Sequence, residues 1–390
     1  MSTNSPVLLG DFAEIVMGQA PPGLDCNKAG RGTVFVKAGE FDARRPLVRE
    51  WTTKPLRFAR SGDVLVCVVG ATAGKINEAI DCAIGRSVAA VRPAPSKVFS
   101  GYLYHFLSTQ VMSLRTKSQG LAQGVITREM LQQLPIPLPS ITEQRRIAVI
   151  LDKADELRAK RRTALLQLNE LNKSIFIDLF GDPNTNPKEF ANGNIEATVS
   201  NPKKDIRCGP FGTQLKVHEL VGSGTPLLGI ENVLDEGFNP EASKFLTARK
   251  AEELRAFDVM PGDVLVTRMG TIGRACVVPE SFLGGRFSYH LFRIRPDKAK
   301  CLPEFLAATI SKSGTFQAQL RAHAHGAIMS GLNTTDLKAV RFLMPPLKLQ
   351  YEFVRQIAAV DKLKTAYKAS LSETDSLFVS LQHRAFRGEL

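Results

Sequence analysis

Gly70-Ala-Thr-Ala-Gly-Lys-Ile76 is the stretch of this chain that first suggests chemistry, because a glycine-rich loop ending in Lys can cradle phosphates. A phosphate-binding loop needs four residues between its glycines and a Ser or Thr after the Lys to hold magnesium. Here the loop is one residue short and Ile76 stands in the metal position, so it is rejected as a nucleotide site. His323-Ala-His325 has metal-ligand residue types, but no carboxylate or third ligand stands near it in sequence, so it reads as a loop pair. There is no HExxH, no Gly-x-Gly-x-x-Gly after a strand, no Asp/Asn-Pro-Pro-aromatic motif of an amino-methyltransferase, and no nuclease-like cluster of acidic residues. The expectation is a non-catalytic chain with no metal and no cofactor of its own.

The charge points to a partner instead. The chain carries 51 Lys and Arg against 38 Asp and Glu, a net +13. The excess is +6 over 1–139, +2 over 140–180, +3 over 181–345 and +2 over 346–390, so no single tail accounts for it. A polyanion, nucleic acid first, is the partner this favours. The first residues, MSTNSPVLLGDF, do not read as a signal peptide, and the longest apolar run, Val64 to Val69, is far short of a membrane span. The six cysteines are scattered without a CxxC pair. Reduced thiols, a cytoplasmic location and no membrane association are the expectation.

Two long helices must position whatever binds. Pro139 to Phe180 opens on Ser140 with Glu143 three residues on, a capping box, and contains no Gly or Pro until Gly181. About 40 helical residues at ~1.5 Å each give a rod of roughly 60 Å. Ile147, Leu151, Ala154, Leu165, Leu168, Ile175 and Leu179 form a coiled-coil seam, interrupted by Arg158, Arg161 and Asn172. Pro346 to Leu390 repeats the spacing 206 residues later with Phe353, Ile357, Val360, Tyr367, Leu371, Phe378, Leu381 and Ala385. Each helix follows a proline-rich approach ending in a Gln, LPIPLPSITEQ (134–144) and FLMPPLKLQ (342–350). The chain order is domain, helix, domain, helix, so helices paired along matching seams must be antiparallel. Arg158, Arg161, Lys364 and Tyr367 then lie near the middle, with Arg161 and Tyr367 read as two snorkelled side chains rather than a cation–π pair.

The regions before the helices also repeat. Ser61-Gly-Asp-Val-Leu-Val66 is answered by Pro261-Gly-Asp-Val-Leu-Val266, Gly70–Lys75 by Gly270–Arg274, Gly85-Arg86 by Gly285-Arg286, and Val91-Arg-Pro93 by Ile294-Arg-Pro296. Val64 to Val69 reads as a buried strand, Gly101 to Ser118 as a helix answered by Leu302 to Ala318, and Thr127 to Gln133 as a short helix capped by Thr127. The fold class is α+β: two similar mixed α/β domains joined by two long antiparallel coiled-coil helices with pseudo-two-fold symmetry. The domains are placed at 1–139 and 181–345, the latter beginning with a polar connector at 181–193, and the helices at 140–180 and 346–390.

Two divergent basic domains alternating with two similar long helices resemble the specificity (S) subunits of type I restriction–modification systems. PLPSITEQRRIAVILDKADELRAKR (137–161) carries the resemblance most specifically, with the weaker second copy from Met344 to Ile357 and the two Gly-Asp-Val-Leu elements. The second copy has Leu349-Gln350 in place of Glu143-Gln144 and lacks the capping box. The resemblance implies two target-recognition domains, each reading half of a bipartite double-stranded DNA sequence. It also implies helices that act as a ruler and dock two methyltransferase (M) subunits, with restriction (R) subunits completing the complex. S-adenosylmethionine, ATP and Mg would belong to those partners.

Candidate DNA contacts are basic or amide side chains beside the shared frame: Lys75, Arg86 and Gln123 in the first domain, and Arg268, Arg274, Arg286 and His325 in the second. Arg bridges guanine O6 and N7, and Gln bridges adenine N6 and N7. The helix-pairing residues are Ile147, Leu151, Leu165, Leu168, Ile175, Phe353, Ile357, Val360, Tyr367, Leu371 and Phe378. Two other classes remain open at this stage: the recognition part of a fused methyltransferase–nuclease, and a coiled-coil scaffold without a DNA role. The ruler has a direct test. Four residues added within Leu165–Asn172 lengthen the rod by ~6 Å, which at ~3.4 Å per base pair should widen the spacer of the methylated motif by roughly one or two pairs. An unchanged spacer would sink the ruler.

Overall fold

Each half of the chain builds its main sheet around one strand that faces two cores. The computed structural model describes residues 7–119, 125–323 and 331–390. They fall into two units, Met1–Ala164 with Tyr367–Leu390, and Leu165–Ala366. In the first unit Val64 and Val66 point into a core shared with Leu103, Leu107, Ile147 and Leu151, whereas Leu65 and Cys67 point into a smaller core with Val36 and Ile84. Successive strand side chains alternate faces, so a β-branched, wholly apolar run is what a strand buried on both sides needs. In the second unit Val264 and Val266 serve one core and Leu265 the other.

The sheets around these strands have the same order in both units. The first unit has an antiparallel four-stranded sheet, Ala13–Met17, Val88–Pro93, Val64–Cys67, Ile76–Glu78. Beside it lies a five-stranded sheet, Cys26–Asn27, Trp51–Thr52, Thr33–Val36, Cys82–Ile84, Phe58–Ala59, with its one parallel pairing between Thr33–Val36 and Cys82–Ile84. The second unit repeats both: Ile206–Cys208, Leu291–Ile294, Val264–Thr267, Ala275–Val277; and Leu220–Val221, Phe245–Leu246, Thr225–Leu228, Gly285–Phe287, Asp258–Val259. A two-strand ribbon ties the start of each domain to the approach of its long helix, Val7–Leu8 with Pro135–Ile136 and Asn192–Asn194 with Arg341–Leu343.

The helices expected over 101–118 and 302–318 are each two helices. Ser100–Thr109 and Val111–Gln119 are separated at Gln110, whose amide takes a tight bond to the Leu107 carbonyl (3.0 Å). Pro303–Lys312 and Gly314–His323 are separated at Ser313, whose hydroxyl accepts from the Phe316 amide (3.4 Å) as an N-cap would. Thr127 caps Arg128–Gln132 by accepting from the Met130 amide.

The long helices span Ile141–Phe180 and Leu347–Ala385. Ser140 Oγ accepts from the Glu143 amide (3.3 Å), but the Glu143 carboxylate turns to Arg146 in a two-pronged bond (2.9 and 2.7 Å), so only half of the capping box forms. A charged fork outcompetes a neutral backbone amide for a carboxylate. The joint of each helix to its domain is a buried glutamine. Gln144 Oε1 accepts from the Phe99 amide (2.8 Å), while its Nε2 donates to the carbonyls of Lys97 (3.0 Å) and Pro139 (2.9 Å). Gln350 Oε1 accepts from the Leu302 amide (2.9 Å), and its Nε2 donates to the Pro345 carbonyl (2.8 Å). Both side chains are fully buried. Phe99 and Leu302 directly precede domain helices, whose first amides lack intrahelical partners.

In the first unit the helices run antiparallel: Arg146 donates to the Leu390 carbonyl (2.6 Å) and Arg158 to Asp375 (2.6 Å). The ring over which a seam arginine lies is Phe378, 4.1 Å from the Arg158 guanidinium. Arg161 has its Nε buried without a partner among the described residues. Ile147, Leu151 and Phe378 are buried together with Tyr102 and Phe106 of the domain. In the second unit Phe176, Phe180, Phe305 and Phe353 form a ring cluster, with Ile175 and Ile357 against it. Val360 is buried, Leu165, Leu168 and Leu371 are half-buried, and Tyr367 is 36% exposed. Much of the seam is therefore buried against a domain as well as a helix, because the domain surfaces supply aromatic partners that the polar middle of the helices lacks.

A polar tie adds to the first joint. The His105 ring Nε2 lies 2.8 Å from Asp152, and Arg44 reaches Asp152 (2.8 Å) and Glu78 (2.6 Å). Burial works against the Asp152 charge, but His105 and Arg44 hold its carboxyl below the ordinary range. Among the described residues, no helix is long and apolar enough to cross a membrane. The glutamine joints set a stability test. Gln144→Leu and Gln350→Leu each leave a buried amide and at least one carbonyl unpaired, which should lower unfolding free energy by about 1–3 kcal/mol. Urea unfolding of the chain reads this directly; a midpoint unchanged in both variants would mean that the joints are not holding.

Candidate nucleic-acid interface

The surface loops rest on a frame held by two matching ion pairs. Asp63 and Asp263, from the Gly-Asp-Val-Leu elements, are buried at 4% and 1% exposure. Arg92 forks onto Asp63 (3.0 and 2.9 Å) and Arg295 onto Asp263 (2.7 and 2.9 Å). The second oxygen of each carboxylate also accepts a turn amide, from Arg60 (2.9 Å) and from Met260 (2.8 Å). Hydrogen bonding to these aspartates raises the pKa of both arginines. Sequence reasoning found both the Gly-Asp and the Arg-Pro elements as repeats without pairing them. Their recurrence together in both halves was the available signal.

Most of the expected DNA contacts among the described residues are occupied within the fold. Lys75 is half-buried and donates to the Phe41 carbonyl (2.8 Å). Arg268 donates to the carbonyls of Leu332 (2.8 Å) and Tyr289 (3.1 Å). Arg274 pairs with Asp235 (3.0 Å). Arg286 donates to the carbonyls of Ala251 (2.9 Å) and Gly285 (3.0 Å). Arg86 is exposed and has no partner among the described residues. Gln123 and His325 lie outside the described residues.

Strand register corrects one equivalence. Gly85-Arg86 and Gly285-Arg286 match as letters but not in space. Gly85 donates to the Val36 carbonyl as Ser288 does to Leu228, and Val68 donates to Ser87 as Arg268 does to His290. Arg86 therefore corresponds to Tyr289, whereas Arg286 sits where Ala83 does, paired in parallel to the same neighbouring strand. A chance Gly-Arg recurrence cannot compete with a register set by hydrogen bonds across five strands.

The two sheets of each unit meet at a close backbone crossing. Gly18 donates to Val88 and Gly209 to Leu291. A Cβ at Gly18 would collide with the Gly85 carbonyl, and one at Gly209 with the Ser288 carbonyl. Only glycine lets the strands cross there.

Cations are distributed unequally over the five-stranded sheets. Around the first, Lys28, Arg31, Arg49, Lys54, Arg57, Arg60 and Arg86 are exposed and form no ion pair among the described residues. Around the second, Lys250 pairs with Glu219 and Glu253, Arg249 with Glu253, and Arg255 with Glu252, while Lys216 and Lys244 are exposed without an ion pair among the described residues. The first unit thus presents uncompensated positive charge suited to phosphates. Burial pushes the thiols of Cys67 up to about 11 and of Cys82, Cys276 and Cys301 up to about 12, so these stay protonated and inert. Among the described residues, no group of three or more His, Cys, Asp or Glu side chains is placed to hold a metal ion.

Residues 1–168 match the family described as the type I restriction modification DNA specificity domain. A type I restriction enzyme specificity sequence of Methanocaldococcus jannaschii is 31% identical over 166 residues, which are 42% of this chain and 39% of that one. The EcoKI specificity subunit of Escherichia coli is 24% identical over 339 residues, 80% of this chain and 69% of its own. The StySPI specificity subunit of Salmonella potsdam is 27% identical over 348 residues, 80% and 69%. In three dimensions, the type I restriction-modification S subunit from M. genitalium aligns with a TM-score of 0.59 at 13% identity, over 99% of this chain and 97% of that one. A chain from the assembly and conformational transition of a type I R-M system aligns at 0.58 and 18% identity, over 98% and 97%. At these identities the structural likeness shows the fold.

The unpaired cations generate a salt test. Arg57→Ala combined with Arg60→Ala should weaken binding of the assembled complex to any duplex. The slope of log K against log salt should become shallower by about 0.9 for each phosphate contact removed. An unaltered slope would place these arginines away from DNA.

Proposed function

The chain belongs to the specificity subunits of type I restriction–modification systems, and we propose that it reads a bipartite DNA sequence, one half-site per unit, for partner subunits that carry the catalysis. The observation that carries this reading is a duplicated frame with unlike surfaces. The sheet orders, the buried glutamine joints and the Arg–Asp forks recur, while exposed positions between them differ in residue type. One frame supplying two different surfaces is what two different half-sites require.

In this reading, the unpaired cations of the first unit other than Arg86 hold phosphates and position the protein, and side chains beside the sheet crossing and on the loops between strands select bases. The long helices fix the distance between half-sites. They also leave Val149, Leu157, Leu166, Ile177, Tyr351, Leu363, Leu377 and Val379 exposed, apolar surface suited to docking of methyltransferase subunits. Restriction subunits complete the assembly. S-adenosylmethionine, ATP and Mg serve the partners' chemistry, and this chain supplies position and specificity.

The test is the genome-wide N6-methyladenine map of the host with and without this gene. Loss of one motif, two short half-sites about a fixed spacer, is the expected outcome. A map that stays the same, although the chain co-purifies with an active methyltransferase subunit, overturns the reading.

A further inference from the structure

We propose that the crossing of the two sheets is the base-reading surface of each unit, with Phe211 and Tyr289 touching bases in the second unit and Gln19 and Arg86 doing so in the first. This rests on the DNA reading above and assigns it to residues.

In the second unit Gly209 packs directly against the backbone of Ser288 and Tyr289, two residues before Phe211. Phe211 is 53% exposed and Tyr289 43% exposed, two large rings facing solvent on a frame that buries most of its aromatics. Arg268 holds both. Its Nη1 donates to the Tyr289 carbonyl (3.1 Å), its guanidinium lies 5.0 Å from the Phe211 ring centroid, and its Nε is fixed by the Leu332 carbonyl (2.8 Å). Arg268 is thus a positioning residue. The His290 ring lies against Tyr289, tilted by 35° with ring centroids 3.8 Å apart, and its Nδ1 is buried without a partner among the described residues.

The same crossing in the first unit carries different chemistry at corresponding places. Arg86 stands for Tyr289, Ser87 for His290 and Val68 for Arg268, with exposed Gln19 following the crossing Gly18. Positions that serve the fold stay alike between the units, as Asp63 and Asp263 or Gln144 and Gln350 do. Here backbone bonds match and side chains do not. Arg and Gln are hydrogen-bond readers of guanine and adenine edges, whereas a phenyl ring meets a thymine methyl and a Tyr hydroxyl can bond a base edge. Exposed rings held over an arginine, beside backbone that cannot move, form a preorganised contact surface rather than a mobile loop.

The experiment uses the full chain co-expressed with its methyltransferase partner, and reads the N6-methyladenine motif on a random-sequence plasmid library. Phe211→Ala and Tyr289→Ala should each relax base choice within one half-site, lowering preference about ten- to a hundredfold at one or two positions, with the other half-site intact. Arg86→Ala should relax the opposite half-site. Phe211→Ala and Tyr289→Ala complexes that keep the wild-type motif and rate would overturn the proposal while leaving the specificity function standing. If a variant loses methylation entirely, binding to a non-specific duplex decides. Retained salt-dependent binding supports base reading, and lost binding assigns the residue to phosphates or to the fold and overturns it. A wild-type complex that neither binds nor methylates DNA removes the premise as well.

Discussion

A glutamine side chain with no access to water holds each long helix to its domain. Gln144 and Gln350 each satisfy the free amide at the head of a domain helix and return a hydrogen bond to the proline-rich approach of their own helix. The amide group suits this place because it donates and accepts at once without carrying charge. A carboxylate there would be a buried anion, and an apolar residue would strand the amide and carbonyl groups. The direction in which each helix leaves its domain depends on this bond, since the flanking prolines stop an earlier start and the buried side chain prevents a later one.

The rigidity of the frame permits the divergence of the surface. A strand facing two cores cannot shift register without turning apolar side chains toward the wrong neighbours. The buried Asp63 and Asp263 carboxylates are fully engaged by an arginine fork and a turn amide, which locks the turn before that strand. With the backbone specified in this way, exposed residues at the sheet crossing are free to change. Arg86 and Tyr289 occupy one structural position with opposite chemical character, and the backbone hydrogen bonds flanking them are the same.

The helices combine an apolar and a polar mode of pairing. Their domain-proximal turns are buried in aromatic cores, while Arg158 is held by Asp155, Asp375 and the face of Phe378. A polar residue in a seam contributes less stability than a leucine would, but its directional bonds restrict which register forms.

Much of this was legible in the sequence for identifiable reasons. Helices of this length, the duplication, the buried Val64 strand and the proline–glutamine entry are local or periodic features, and local chemistry writes them directly into residue order. The half-formed capping box and the break at Gln110 depend on competing neighbours and were not. The candidate contacts were the least legible. Lys75, Arg268, Arg274 and Arg286 are cations in loops by sequence, but their partners are backbone carbonyls and a carboxylate brought in from elsewhere in the fold. Phe211 and Tyr289 carry no charge and drew no attention, because their exposure is visible only once the sheets are assembled. Composition, periodicity and repetition thus determined the architecture, and the charge pointed toward a polyanionic partner. The tertiary structure alone decided which side chains are spent on the frame and which remain free, because that depends on hydrogen bonds between residues far apart in the chain.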